Sequence, residues 1–120
     1  MNKDDLFNED KYMMRQDVET MISETIQNHK IVVFMKGERT MPLCGFSNTV
    51  VKILDTFNVK YHTVNVLDDE KVRQSIKTYS KWPTIPQVYI NEDFIGGTDI
   101  ILTLYQTNQL KEMLEKAMNS

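Results

Sequence analysis

Five apolar residues in a row, Ile31-Val32-Val33-Phe34-Met35, constrain this chain more than any other stretch. The run is too short for a buried helix and rich in β-branched side chains, which suits a strand covered on both faces. Such a strand obliges the chain to supply helices to either side of its sheet. The residues downstream answer that demand. From Ser47 to Phe57 the apolar positions Val50, Val51, Ile53, Leu54 and Phe57 make a helical stripe, with Asn58 as a stop signal. Lys60 to Val66 then alternates Tyr61, Thr63 and Asn65 with His62, Val64 and Val66, the pattern of a second strand. A β-α-β order predicts a parallel neighbour joined by a right-handed crossover.

The remaining punctuation extends this scheme. Arg15 to Asn28 carries Val18, Met21, Ile22, Thr25 and Ile26 at helical spacing, and His29-Lys30 closes it with positive charge. Asp68-Asp69-Glu70 opens a helix bearing Val72, Ile76 and Tyr79. Pro83 and Pro86 force Ser80 to Pro86 into extended structure. Gln87–Ile90 and Asp93–Gly96 read as a hairpin across Asn91-Glu92. Gly96-Gly97 ends it, and Thr98 or Asp99 is the expected cap of a helix through Ile100, Ile101, Leu104 and Tyr105. Leu110, Met113, Leu114 and Ala117 mark the last helix. The expected fold is therefore α/β, a four-stranded mixed sheet flanked by helices on both faces.

At 120 residues the chain is expected to hold one domain, spanning residues 15–118 behind a flexible, polar leader at 1–14. The leader lacks the apolar core of a signal peptide and the Arg-rich, acid-poor character of a transit peptide. Seventeen acidic against 14 basic residues, net charge −3, give no electrostatic basis for general nucleic-acid binding. No apolar run approaches the roughly 20 residues of a membrane span. One cysteine makes an internal disulfide impossible and suits a reducing intracellular compartment.

That cysteine, Cys44, falls where the first strand hands over to a helix, between Pro42-Leu43 and Gly45. A lone cysteine is commonly a small buried hydrophobe. A turning backbone at a helix N-terminus argues instead for chemistry, because orphan N–H groups and the helix dipole favour a thiolate there. Ser47 stands where a dithiol motif would carry its second cysteine, so a C-x-x-C shuttle is excluded; its functional and ordinary first-turn roles weigh equally. Lys36 follows the buried strand and can offer charge to a thiolate or carboxylate. Arg73 and Lys77, four residues apart, share a helix face that alone would read as solvated. The N–H groups beside Thr98 and Asp99 suit a carboxylate. His29 and His62 have no second ligand at metal-binding spacing.

These residues together resemble one family. Cys44-Gly45-Phe46-Ser47, preceded by Lys36-Gly37 and followed by Trp82-Pro83-Thr84-Ile85-Pro86-Gln87 and Gly96-Gly97-Thr98-Asp99, is similar to the monothiol (CGFS-type) glutaredoxins. The eight-residue interval from Lys36 to Cys44 fits the longer loop of that class. The resemblance implies a thioredoxin-like fold with a glutathione site beside Cys44. Position by position, Lys36, Arg73 and Lys77 would meet glutathione carboxylates. Thr84 and Ile85 would face its cysteinyl part, with Ile85 pairing through its backbone. Pro86 would be a cis-proline, and Thr98 and Asp99 would hold the γ-glutamyl end. Two departures stand out. Arg39 replaces a proline common among relatives, which predicts a less rigid loop, and Thr98 replaces a second cysteine, which leaves glutathione as the resolving thiol.

Two functions follow from different classes. In the first, the protein binds and transfers a [2Fe–2S] cluster. Such a cluster takes four ligands and the monomer offers one thiolate, so the resemblance implies a homodimer bridged by two Cys44 and two glutathione thiolates, delivering to recipient iron–sulfur proteins. It also implies a BolA-type partner, and it prefers the bacterial cytoplasm or mitochondrial matrix. In the second, Cys44 is the nucleophile of a weak glutathione-dependent oxidoreductase acting on mixed disulfides. An adaptor with a redox-sensitive cysteine is a blander third reading. The missing second thiols favour the first.

Overall fold

A computed structural model of the protein describes residues 17–120. The expected leader at 1–14, and Arg15 of the expected first helix, lie outside the described residues. In chain order, helix α1 (residues 17–28) leads into strand β1 (Ile31–Met35), followed by the two-residue strands β2 (Gly37–Glu38) and β3 (Met41–Pro42). Helix α2 (Gly45–Asp55), strand β4 (His62–Asn65) and helix α3 (Glu70–Ser80) come next. The hairpin β5 (Gln87–Ile90) and β6 (Asp93–Gly96) and helices α4 (Thr98–Gln106) and α5 (Gln109–Met118) complete the chain.

The five-residue apolar run is the interior strand it was expected to be. The sheet order is β4-β1-β5-β6, with β4 parallel to β1 and the other two pairings antiparallel. Every residue of β1 is buried, and period-two alternation divides them between two cores. Ile31, Val33 and Met35 pack with Val50, Val51 and Leu54 of α2, Ile101 of α4 and Leu110 and Leu114 of α5. Val32 and Phe34 pack on the opposite face with Ile22 and Ile26 of α1 and Val72 and Ile76 of α3. Helices thus flank both faces, as the strand demanded. Truncating Phe34 would cost about 3–5 kcal/mol on the scale of large-to-small core changes.

Several boundaries differ from the expectation, and Ser80, expected to open the extended segment, is instead the last residue of α3, which ends at Lys81 in the left-handed conformation. Helix α2 begins at Gly45, two residues earlier than the apolar stripe suggested, because the Asn48 N–H already donates to the Cys44 carbonyl at 2.9 Å. Strand β4 keeps only His62–Asn65 of the predicted Lys60–Val66, pairing with Val32 to Met35. The segment read as loop between β1 and α2 contains the small β2-β3 pair, in which Gly37 faces Pro42 and Glu38 faces Met41. Gly37 has φ +88°, and a Cβ there would sit 2.5 Å from the Met41 carbonyl oxygen, so only glycine fits this turn.

His29 and His62, unremarkable as isolated residues, meet across the start of β1. Their rings stack with centroids 4.0 Å apart and planes 4° from parallel. Parallel stacked rings send their in-plane lone pairs along separate planes, so the pair does not converge on one ion. Partial burial, then the proximity of His29, holds the His62 pKa below its ordinary value. The unfolded chain therefore binds the proton more readily. The contribution of His62 is fully present above about pH 6.5 and is lost as pH falls toward its lower folded-state value. Urea melts between about pH 7.5 and 5 should show a decline that His62→Gln makes shallower; identical slopes would show that the stack carries no linkage.

Candidate functional site

The site forms where β1 ends and three helices present their termini. Lys36 leaves the buried strand with its backbone N–H donating to the Ser47 hydroxyl at 3.1 Å. Ser47 is fully buried in the first turn of α2, so its structural role is the observed one: it ties the strand end to the helix start. The loop base closes where the Leu43 N–H donates to the Lys36 carbonyl at 2.9 Å and the Gly37 N–H to Asn65 Oδ1 at 2.9 Å. Cys44 follows as the N-cap of α2 in extended conformation, φ −147° and ψ 137°, with a free and partly exposed thiol. The first N–H groups of the helix beyond it have no intrahelical acceptor.

Helix α3 supplies the cationic wall. Its N-cap Asp69 accepts from the Lys71 N–H at 2.9 Å, and Arg73 and Lys77 follow on the side facing the cleft. Arg73 lies 3.5 Å from Glu70, whose carboxyl is held below the usual range first by the Gln74 amide. Arg73 Nε is nonetheless buried with no hydrogen-bond partner in the protein. A buried guanidinium donor left unpaired is costly, so the burial of Arg73 Nε is not compensated within the protein.

A second wall is the segment joining α3 to β5, which bends at Thr84 and Ile85 between the two prolines instead of running extended. The Ile85–Pro86 peptide is cis. Gln87, fully buried at the start of β5, donates through Nε2 to the carbonyls of Trp82 and Thr84 at 3.0 and 3.2 Å and accepts from the Tyr89 hydroxyl at 3.3 Å. This buried amide holds the segment in place.

The third wall is the start of α4, where one expectation is corrected. Neither Thr98 nor Asp99 caps the helix; Gly97 is the N-cap and no side chain serves it. The reason is backbone pairing: the Ile101 N–H donates to the Gly97 carbonyl at 3.0 Å, so the first helical bond starts one residue before Thr98, and a Cβ on Gly97 would lie a tight 3.2 Å from the Pro86 carbonyl oxygen. Thr98 instead donates its hydroxyl to the Phe46 carbonyl at 3.1 Å, joining the first turns of α4 and α2.

These walls enclose one cleft of about 460 Å³, within the range of small-molecule sites. All nine residues singled out from the sequence line it: Lys36, Cys44, Arg73, Lys77, Thr84, Ile85, Pro86, Thr98 and Asp99. Three cations against one carboxylate make the lining net positive. Phe46, Trp82, Pro83, Gly97 and Ile100 also line it, and of these only Ile100 lies outside the motifs quoted above.

The glutaredoxin family model matches residues 31–95 of this chain. An uncharacterised monothiol glutaredoxin of Synechocystis is 50% identical over 107 residues, covering 89% of this chain and 100% of that protein. The chain belongs to the monothiol glutaredoxin family. Glutaredoxin-related protein 5 of Danio rerio, a mitochondrial protein, is 53% identical over 96 residues, covering 79% of this chain and 62% of its own length. The solution structure of reduced apo GrxS14 from poplar shares 47% identity with a TM-score of 0.76, covering 86% of this chain and 94% of that one. The thioredoxin-like fold expected from the sequence is thus the fold observed.

Within this monothiol glutaredoxin, Gln87 is the supporting residue that sequence reasoning missed. It was quoted within a motif, but nothing in one sequence says that a glutamine beside a strand is fully buried. Gln87→Met keeps the length and removes both donors. The expected result is a loss of about 1–3 kcal/mol in denaturant unfolding and a shifted emission of Trp82, the sole tryptophan. Unchanged stability and emission would show that the amide does not hold the segment.

Proposed function

We propose that this monothiol glutaredoxin binds glutathione in the cleft beside Cys44 and carries a [2Fe–2S] cluster as cargo between proteins of a reducing compartment, bacterial cytoplasm or mitochondrial matrix. The observation that carries the reading is that the chain's only thiol lines a cleft whose charged residues are Lys36, Arg73 and Lys77 against Asp99 alone. The residues fit glutathione, a tripeptide with two carboxylates and one ammonium. Lys36, Arg73 and Lys77 would meet carboxylate charge. The N–H groups at the start of α4 would take the γ-glutamyl carboxylate and Asp99 its ammonium, while the Thr98 hydroxyl hydrogen is already committed to Phe46. Ile85 would pair its backbone with the cysteinyl part, between Thr84 and Pro86. Bound glutathione supplies the second thiolate that this chain lacks.

A [2Fe–2S] cluster needs four ligands, so two protomers with two glutathiones complete the set, and recipient iron–sulfur proteins or a BolA-type partner would approach the same face. Gly45 supports this arrangement. Its missing side chain is not required by packing, since a Cβ there meets nothing within 4 Å. Bare backbone directly after Cys44 would leave room for a partner to approach the sulfur.

Anaerobic reconstitution with iron, sulfide and glutathione should yield a coloured species with the mass of two protomers. Cys44→Ser, or omission of glutathione, should abolish it. Colour that survives loss of Cys44 would overturn the carrier reading, and rapid turnover of a glutathione mixed disulfide by a colourless protein would install the oxidoreductase reading instead. Independently of the cluster, Arg73→Gln should weaken glutathione binding roughly tenfold in calorimetric titration, the scale of a lost charged hydrogen bond; unaltered affinity would remove Arg73 from the site.

A further inference from the structure

The loop from Lys36 to Cys44 is closed at its base by backbone bonds, but its tip is held differently. Among the described residues, the side-chain ties from the tip to the body run through Arg39. Its Nε and a terminal nitrogen donate to Asp55 Oδ1 at 3.1 and 2.7 Å, and the Tyr61 hydroxyl donates to the same oxygen at 2.7 Å. The guanidinium carbon also sits 4.1 Å from the centre of the Tyr61 ring. Tyr61 is buried in the core formed by α2, α4 and α5, so this platform is rigid. Burial, and then the Asp55 carboxylate, push its hydroxyl well above the usual phenol range, which keeps it a donor.

The placement of Asp55 gives the tie its consequence. Asp55 is the last residue of α2 and Cys44 the N-cap at the other end, roughly 16 Å away along an 11-residue helix. The loop that delivers Cys44 is therefore laid back along the helix that Cys44 caps and fastened at the far end. We propose that Arg39 is a positioning residue for Cys44, holding the 37–43 segment through Asp55 and Tyr61 by a restraint that weakens with salt. The salt dependence follows from exposure: the side chains of Arg39 and Asp55 are 45% and 41% exposed, so the pair is open to screening. Met41 and Leu43, 67% and 61% exposed, ride on this segment toward Cys44, so its attitude also sets the apolar surface beside the thiol.

The test needs neither glutathione nor a cluster, so it stands or falls apart from the function proposed above. Amide exchange of residues 38–43 and alkylation of Cys44 by neutral iodoacetamide are measured at about 0.02 and about 1 M salt. At low salt Arg39→Ala should speed both by two- to fivefold (about 0.4–1 kcal/mol), the scale of a partly exposed ion pair, while exchange in β1 and β5 stays unchanged. High salt should close the gap between the unsubstituted protein and the Arg39→Ala variant, while salt moves the exchange of residues 38–43 in the variant far less than in the unsubstituted protein. Asp55→Asn should reproduce the effect, the double variant should add nothing further, and Arg39→Lys should recover part of it. Equal salt response with and without Arg39, additive single effects, or an unaltered alkylation rate would each overturn the proposal.

Discussion

Strand β1 has no face turned to solvent, and the rest of the structure answers to that. Val33 and Met35 draw α2, α4 and α5 onto one side of the sheet, while Val32 and Phe34 draw α1 and α3 onto the other. Because the strand is interior, its end is a fixed point from which the chain can only turn outward. Lys36 and the loop to Cys44 start there. The same packing brings the N-termini of α2 and α4 side by side, where their unpaired N–H groups border the cleft. The chemistry is thus a by-product of where a two-sided strand must stop.

Polar groups in the interior serve the same place. The two buried polar side chains among the described residues, Ser47 and Gln87, each support a wall of the cleft. Ser47 joins the Lys36 backbone to α2, and Gln87 joins the segment of Trp82 and Thr84 to β5. Burying a hydroxyl or an amide is tolerable only when its bonds are made, so each acts as a fixed strut. Arg73 is the contrasting case. Its Nε is buried without a partner in the protein, so its burial is a cost that neither strut carries.

How much was legible in advance depends on the physical range of each signal. Periodicity and turn chemistry are local, so β1, the hairpin of β5 and β6 and the order of helices could be read directly. The ends of α2 and β4 were read less well, because boundaries depend on which backbone groups find partners. Arg39 was expected to loosen its loop where a proline would stiffen it. Instead it fastens the loop to Asp55 and Tyr61. That contact joins residues 16 and 22 positions downstream, and no pattern in a single sequence marks such a pairing. The same limit applies to the stacking of His29 on His62, which no spacing in the sequence announces.

By itself, the sequence determined the fold class, the position of the only thiol before a helix, and the absence of any second cysteine that could resolve it. The first two follow from local spacing, and the third from inventory alone, which holds in any conformation. Only the tertiary structure decided that nine residues spread from Lys36 to Asp99 line a single cleft. It also decided that Gly97 rather than Thr98 caps α4, that Ser47 and Gln87 are struts, and that Arg73 Nε is buried without a partner in the protein. The physical reason is that burial and hydrogen-bond satisfaction depend on neighbours brought in by folding, and a side chain's own identity does not name them.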